Sequence, residues 1–183
     1  MHCQESFSSK VLVCSLGCFA GDVLDDDGVI YSRHYRSVNV ASYPAISDLS
    51  DAVQNGYDIV HLFCPLAAGG LIRDTRGKTL AGSELIQKCC DGNVKLLWVA
   101  NENKPEDYVN GFKAEGKPLN LIMTINRNGA RFGQFLEKLL VRISNGEALP
   151  LAWTTLVPQC EGPWQQDLPG CIFFAGRANA QFR

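Results

Sequence analysis

Among the residues of this 183-residue chain that are equipped for covalent chemistry, one close pair stands out. His61 and Cys64 lie in the apolar run Tyr57–Cys64. A thiolate made nucleophilic by a neighbouring imidazole is the working unit of a cysteine hydrolase. Side chains alternate along a strand, so positions 61 and 64 point to opposite faces and form a dyad only where the strand ends early or bulges. Cys64 among apolar neighbours is then a core thiol, behaving as a small hydrophobe. It is kept as the fallback nucleophile, with His61 as its fallback base.

Other patterns mimic sites and fail on spacing. Gly77-Lys78-Thr79 copies the end of a phosphate-binding loop, but that motif needs glycine where Ile72 stands. Gly17-Cys18-Phe19-Ala20-Gly21 follows an apolar run without the Gly-x-Gly spacing of a dinucleotide fingerprint; a nucleotide or small-molecule binder using this loop is the least favoured reading. The acidic run Asp25–Asp27 has no further ligand at metal spacing and reads as a solvated turn. Cys89-Cys90 and Cys14-x-x-x-Cys18 lack the Cys-x-x-Cys pairing of zinc sites. No cofactor and no metal are expected. His34, in Ser32-Arg33-His34-Tyr35-Arg36, reads as a surface residue of an edge strand within reach of a cleft.

Composition narrows the class. The length suits one domain, 1–183, with a core of its own. The hydrophobic share of 46% and charged share of 20% are ordinary for a globular protein. A net charge of −2 and a pI near 5.9 give no footprint for nucleic acid. Met1–Lys10 lacks the apolar core of a signal peptide, and no run reaches the ~18 apolar residues of a membrane span. Eight cysteines without a secretory signal indicate a reducing cytoplasm rather than a disulfide framework.

The elements that must position these groups alternate. Short apolar runs at Lys10–Leu16, Tyr57–Cys64, Val94–Ala100, Leu119–Ile125 and Cys171–Ala175 predict strands, and Val29–Val40 predicts one or two more. Helices are predicted over Ser47–Gln54, Glu84–Cys90, Pro105–Glu115 and Glu147–Leu156. Phe132, Phe135, Leu136, Leu139, Leu140 and Ile143 recur at helical spacing and predict a long amphipathic helix. Pro65–Leu80 is Gly-rich and polar, an arm or short hairpin. Continuous apolar strands alternating with helices predict a doubly wound α/β domain, a mostly parallel sheet with helices on both faces.

The ordered set of these pieces resembles the CHAT domain, a bacterial branch of the caspase-like cysteine peptidases, over about Leu49 to Gly176. Tyr57–Leu62 is similar to that family's strand before its catalytic His, and Leu80–Leu85 to the helix start after its arm. Val94–Glu102 is similar to its Cys-bearing strand, Leu121–Trp153 to its long C-terminal helices, and Cys171–Gly176 to its final strand. The resemblance implies a catalytic His at position 65 and a catalytic Cys at position 101. Those slots hold Pro65 and Asn101, while Glu102 is retained. It also implies a buried, non-catalytic role for His61.

Proline and an amide cannot supply a nucleophile and its base, so the expectation is a catalytically degenerate caspase-like protein that binds another protein or peptide segment as regulator, adaptor or inhibitor. The family's bacterial defence and signalling context comes with the resemblance. The alternative is an active peptidase with Cys64 as a displaced nucleophile. In an open parallel sheet, ligands meet the loops at the carboxyl ends of the strands, here Gly17–Gly21, Pro65–Gly70, Asn101–Lys104 and Asn126–Gly129. Asn101, Glu102, Asn103, Asn126, Arg127 and Asn128 are the candidate partner-binding residues. The competing reading is that these amides serve their own loops. Trp153, Trp164 and Phe182 are either an exposed apolar patch or part of the core.

Overall fold

The computed structural model describes residues 9–17, 21–127, 129–157 and 170–183. Six strands form its central sheet. β1 (Lys10–Leu16), β3 (Ile59–Phe63), β7 (Leu96–Val99) and β8 (Asn120–Asn126) are nearly pure runs of buried residues. Apolar side chains on both faces need cover on both faces, which is why these runs settle inside a parallel sheet. β2 (Ser37–Tyr43) lies at one edge and β9 (Gly170–Ala175) at the other, in the order β2-β1-β3-β7-β8-β9. All neighbours pair parallel except β8 and β9, which run antiparallel.

The helices divide between the two faces, so the fold is a doubly wound α/β fold. α2 (Ile46–Val53), α3 (Gly82–Asp91) and α4 (Pro105–Gly111) pack with Leu12, Cys14, Leu62, Cys64 and Leu97. α1 (Gly21–Ser32), α5 (Gly129–Ser144) and α6 (Leu149–Leu156) pack with Val13, Ile59, Phe63 and Trp98. The six apolar residues of the predicted long helix all lie on the buried stripe of α5. Trp98, wholly buried at the centre, donates its indole N–H to Thr124 Oγ1 at 3.0 Å, meeting the polar end of a large apolar ring.

Three expectations are corrected. The acidic run is no turn: Asp25–Asp27 lies within α1, and Asp27 is 1% exposed. Residues 29–32 complete that helix, so Val29–Val40 contributes a single strand, β2, and His34 sits in the turn before it, bonded to Glu137 at 3.0 Å. The arm is a three-stranded antiparallel sheet of β4 (Leu66–Ala67), β5 (Leu71–Arg73) and β6 (Thr79–Ala81). It docks on α4 where two glycines meet, for a Cβ built on Gly70 would lie 2.5 Å from Gly111 Cα. Phe182 is wholly buried and Trp153 packs against the same core; Trp164 lies outside the described residues.

Candidate functional site

β3 and β7 are neighbours in register, with Leu62 opposite Val99 and the Ala100 amide donating to the Leu62 carbonyl at 2.9 Å. Pro65, exposed, and Asn101, half-buried, therefore emerge from adjacent strand ends. Asn103 ties those ends together. Its Oδ1 accepts the Leu66 amide at 2.8 Å, and its Nδ2 donates to the Asn101 carbonyl at 3.2 Å and to the Tyr108 hydroxyl at 2.9 Å. The Tyr108 hydroxyl in turn donates to the Thr124 carbonyl at 2.8 Å. One carboxamide and one phenol thus fix the loops after β3 and β7 to the end of β8.

The two groups with nucleophile and base chemistry are separated by the sheet. Cys64 packs in the cluster with α2 and α3, whereas His61 faces α1 and α5. Burial pushes the Cys64 thiol up to about 12. The thiols of Cys14, Cys89, Cys90 and Cys171 are also raised, first by burial. A thiol activated for attack needs the opposite shift, from a nearby cation or imidazolium. Among the described residues no group of three or more His, Cys, Asp and Glu could hold a metal, and no helix is long and apolar enough to cross a membrane.

His61 belongs instead to a buried polar network. Its Nδ1 lies 3.0 Å from the Tyr31 hydroxyl, and its Nε2 lies 3.1 Å from Asp27 Oδ2, close but off the line of a hydrogen bond. The tautomer that matches both neighbours accepts from Tyr31 at Nδ1 and carries its proton on Nε2, toward the carboxylate. Asp27 also takes a two-armed contact from Arg127, at 2.8 and 3.0 Å, the geometry that suits a guanidinium to a carboxylate. The imidazole stacks on Trp98 at 5.2 Å, and the guanidinium lies 4.1 Å above the Phe132 ring.

Charge balance in this network follows from its surroundings. Burial lowers the His61 pKa, assisted by the positive Arg127 and opposed by Asp27, and the net shift is down. Asp27 is raised by burial but lowered further by His61 and Arg127, and stays below its ordinary value. One carboxylate is matched by one guanidinium, so a proton on His61 would leave an unpaired positive charge inside the protein. A neutral imidazole that is wholly buried, with both nitrogens facing protein groups, holds structure rather than moving a substrate's proton.

No family model matches the chain, and no curated protein matches it. Of the candidate partner-binding residues, Asn103 is committed to its own loops, and the Arg127 guanidinium to Asp27. Glu102 Oε1 accepts the Arg127 amide at 3.1 Å, which joins the loop after β7 to the loop after β8. The Asn101 carbonyl accepts from Asn103 and Tyr108, while its side chain makes, among the described residues, one long contact of 3.5 Å to the Glu102 carbonyl. Asn126 is exposed at the end of β8, and Asn128 lies outside the described residues. The Gly17–Gly21 segment is described only at Gly17, in the left-handed region at φ +85°, and at Gly21, where α1 begins.

Two hollows flank these loops. A cleft of about 360 Å³ lies between the ends of β1 and β3 under the arm, bounded by Leu16, Pro65, Leu66 and Ala67. A groove of about 800 Å³ runs between α1 and α5, with Asp27 and Arg127 in its wall. Sequence reasoning missed Asp27, Tyr31 and Phe132 as partners of His61. The signal was the spacing of Leu24, Asp27 and Tyr31, which places all three on one stripe of α1.

Proposed function

We propose that this chain is a CHAT-like, catalytically degenerate domain that holds an extended segment of another protein at the carboxyl end of its sheet without cutting it. One observation carries the reading. The ends of two adjacent central strands, where the resemblance expects a dyad, bear Pro65 and Asn101, bridged by Asn103. Proline has no titrating group and an amide is a poor nucleophile, so this pair has no route to the attack and proton transfer that peptide cleavage needs. The binding surface that fits this reading is narrower than the amide-rich loops suggest: Pro65 is exposed and Leu66 and Asn101 half-buried, while Asn103 and Arg127 hold the wall in place. The chain then works in the cytoplasm as a regulator or adaptor of a separate, bacterial partner.

Peptide selection on the immobilised chain tests this. A displayed dodecapeptide library is expected to yield peptides that bind, stay intact after long incubation, and slow hydrogen exchange at residues 64–67 and 100–103. Alkylation rates measured across pH 5 to 8 in the same preparation are expected to show no fast cysteine. Cleavage of the selected peptides that is lost in Cys64→Ala, with fast alkylation of Cys64 below pH 7, overturns the proposal in favour of the displaced-nucleophile peptidase.

A further inference from the structure

The cleft under the arm has walls of two kinds. Leu16, Pro65, Leu66 and Ala67 make one side apolar, and Arg73, Asp74 and Thr75 make the other polar. Arg73 is exposed, and among the described residues it makes no ion pair. The acid next to it does not neutralise it. Asp74 is turned inward, where it accepts the amides of Ile46 at 3.2 Å and of Arg76 and Lys78 at 2.9 Å each. Thr75 Oγ1 donates to the Pro44 carbonyl at 2.8 Å and fastens the tip of the arm beside α2. Arg73 is thus presented from a pinned turn, with its own charge unmatched.

The same turn carries Arg76 and Lys78, both exposed. With three cations and one acid, the arm carries a positive surplus on a chain whose net charge is −2. Because the carboxylate of Asp74 is taken up by backbone amides, the positive surplus beside this small apolar hollow favours a partner of the opposite sign. We infer that the segment received here carries an Asp or Glu side chain beside an aliphatic residue, the carboxylate paired with Arg73 and the aliphatic group seated against Leu16 and Leu66. The inference rests on the peptide-holding reading of this cleft and adds the chemistry of what is held.

Fluorescence anisotropy on the full chain tests it, using the peptides chosen by display together with copies in which each Asp or Glu is replaced by its amide. A guanidinium–carboxylate pair in a partly enclosed site is worth about tenfold or more in affinity. The acidic peptides are expected to bind about tenfold more tightly than their amide copies, and Arg73→Ala is expected to remove that difference. Arg73→Glu is expected to reverse the preference toward peptides with Lys at the same position, a gain that misfolding cannot produce. If peptides bind but amide and acid copies bind alike, the charge assignment is overturned while the peptide-holding reading survives. If no peptide binds, both are overturned. Displacement of the bound peptide by single-stranded RNA as readily as by excess acidic peptide overturns the assignment to a protein partner.

Discussion

Replacing Asp27 by alanine asks whether the junction of α1, β3 and the end of β8 is held by charge. The carboxylate is 1% exposed, takes both arms of Arg127, and has His61 Nε2 at 3.1 Å. Its removal leaves a guanidinium without a counter-charge and an imidazole N–H without a polar neighbour. Breaking a fully buried pair by removing one partner costs about 3–5 kcal/mol. The Arg127 side chain is 17% exposed and borders the groove between α1 and α5, so it can turn partly toward water; that brings its share to about 1–2 kcal/mol. The imidazole N–H, wholly buried and close to the carboxylate but off the line of a hydrogen bond, adds about 1 kcal/mol. A loss of about 2–3 kcal/mol is expected, a large part of a typical domain's 5–15 kcal/mol. Urea unfolding followed by tryptophan fluorescence measures it, with Trp98 stacked on His61 as a local reporter, and the midpoint falls while the m-value stays fixed. The double variant D27L/R127M, which removes both charges and keeps the volume, is expected to recover much of the loss. A single-variant cost below about 1 kcal/mol, or a double variant no more stable than Asp27→Ala, refutes a charge-held junction.

The same network sets a pH dependence. In the unfolded chain His61 takes up a proton near its ordinary value of 6.5, whereas burial and Arg127 hold it lower in the folded protein, so the unfolded state binds that proton first and stability falls as pH drops below about 6.5. A further fall follows below about 4 as Asp27 is protonated; urea midpoints between pH 8 and 5 are expected to show the first phase in the native chain and to lose it in His61→Gln. Asn103→Ala is expected to cost about 1–2 kcal/mol and to speed hydrogen exchange at Leu66 without altering α3, because it removes the acceptor of that amide. Gly70→Ala combines a left-handed φ of +74° with a Cβ against Gly111 of α4; it is expected to undock the arm, seen as faster exchange over residues 66–81, with a cost above about 1 kcal/mol in thermal unfolding.

Much of the fold was legible because its strands are buried on both faces. A parallel strand under helices must be apolar throughout, so Ile59–Phe63 and Leu96–Val99 announce themselves as short unbroken runs. The amphipathic stripe of α5 is as plain. α1 was not legible for a physical reason: three consecutive aspartates and two glycines are poor helix formers, and its buried stripe includes a carboxylate and Gly28. What makes it a helix lies far away. Asp27 is anchored by residues 61 and 127, and Gly28 faces Val40, whose Cγ2 would lie 2.6 Å from a Cβ there. At the site, Pro65 and Asn101 are singled out by the family resemblance, and their place at strand ends follows from the two apolar runs before them. The role of Asn103 could not be read this way, because its main partner is the backbone amide of Leu66, thirty-seven residues earlier.

The residues around the strand ends divide into those that hold and those that are held open. Asn103, Tyr108, Glu102, Arg127 and Asp27 join the loops after β3, β7 and β8 to α4 and α1 through side-chain bonds. Such a framework does for binding what it would do for catalysis: it fixes the wall before the ligand arrives, so less ordering entropy opposes association. Catalysis needs one thing more, a pair of groups in contact that can exchange a proton and attack a carbonyl. His61 and Cys64 are kept from that role by the sheet between them, and no shift of a surface loop brings them together, because both belong to the same buried run. On the reading proposed above, peptide cleavage would require a base and a nucleophile at positions 65 and 101. Placing His at 65 and Cys at 101 on this otherwise unchanged wall is the substitution pair that separates a scaffold still shaped for peptide cleavage from one shaped only to hold.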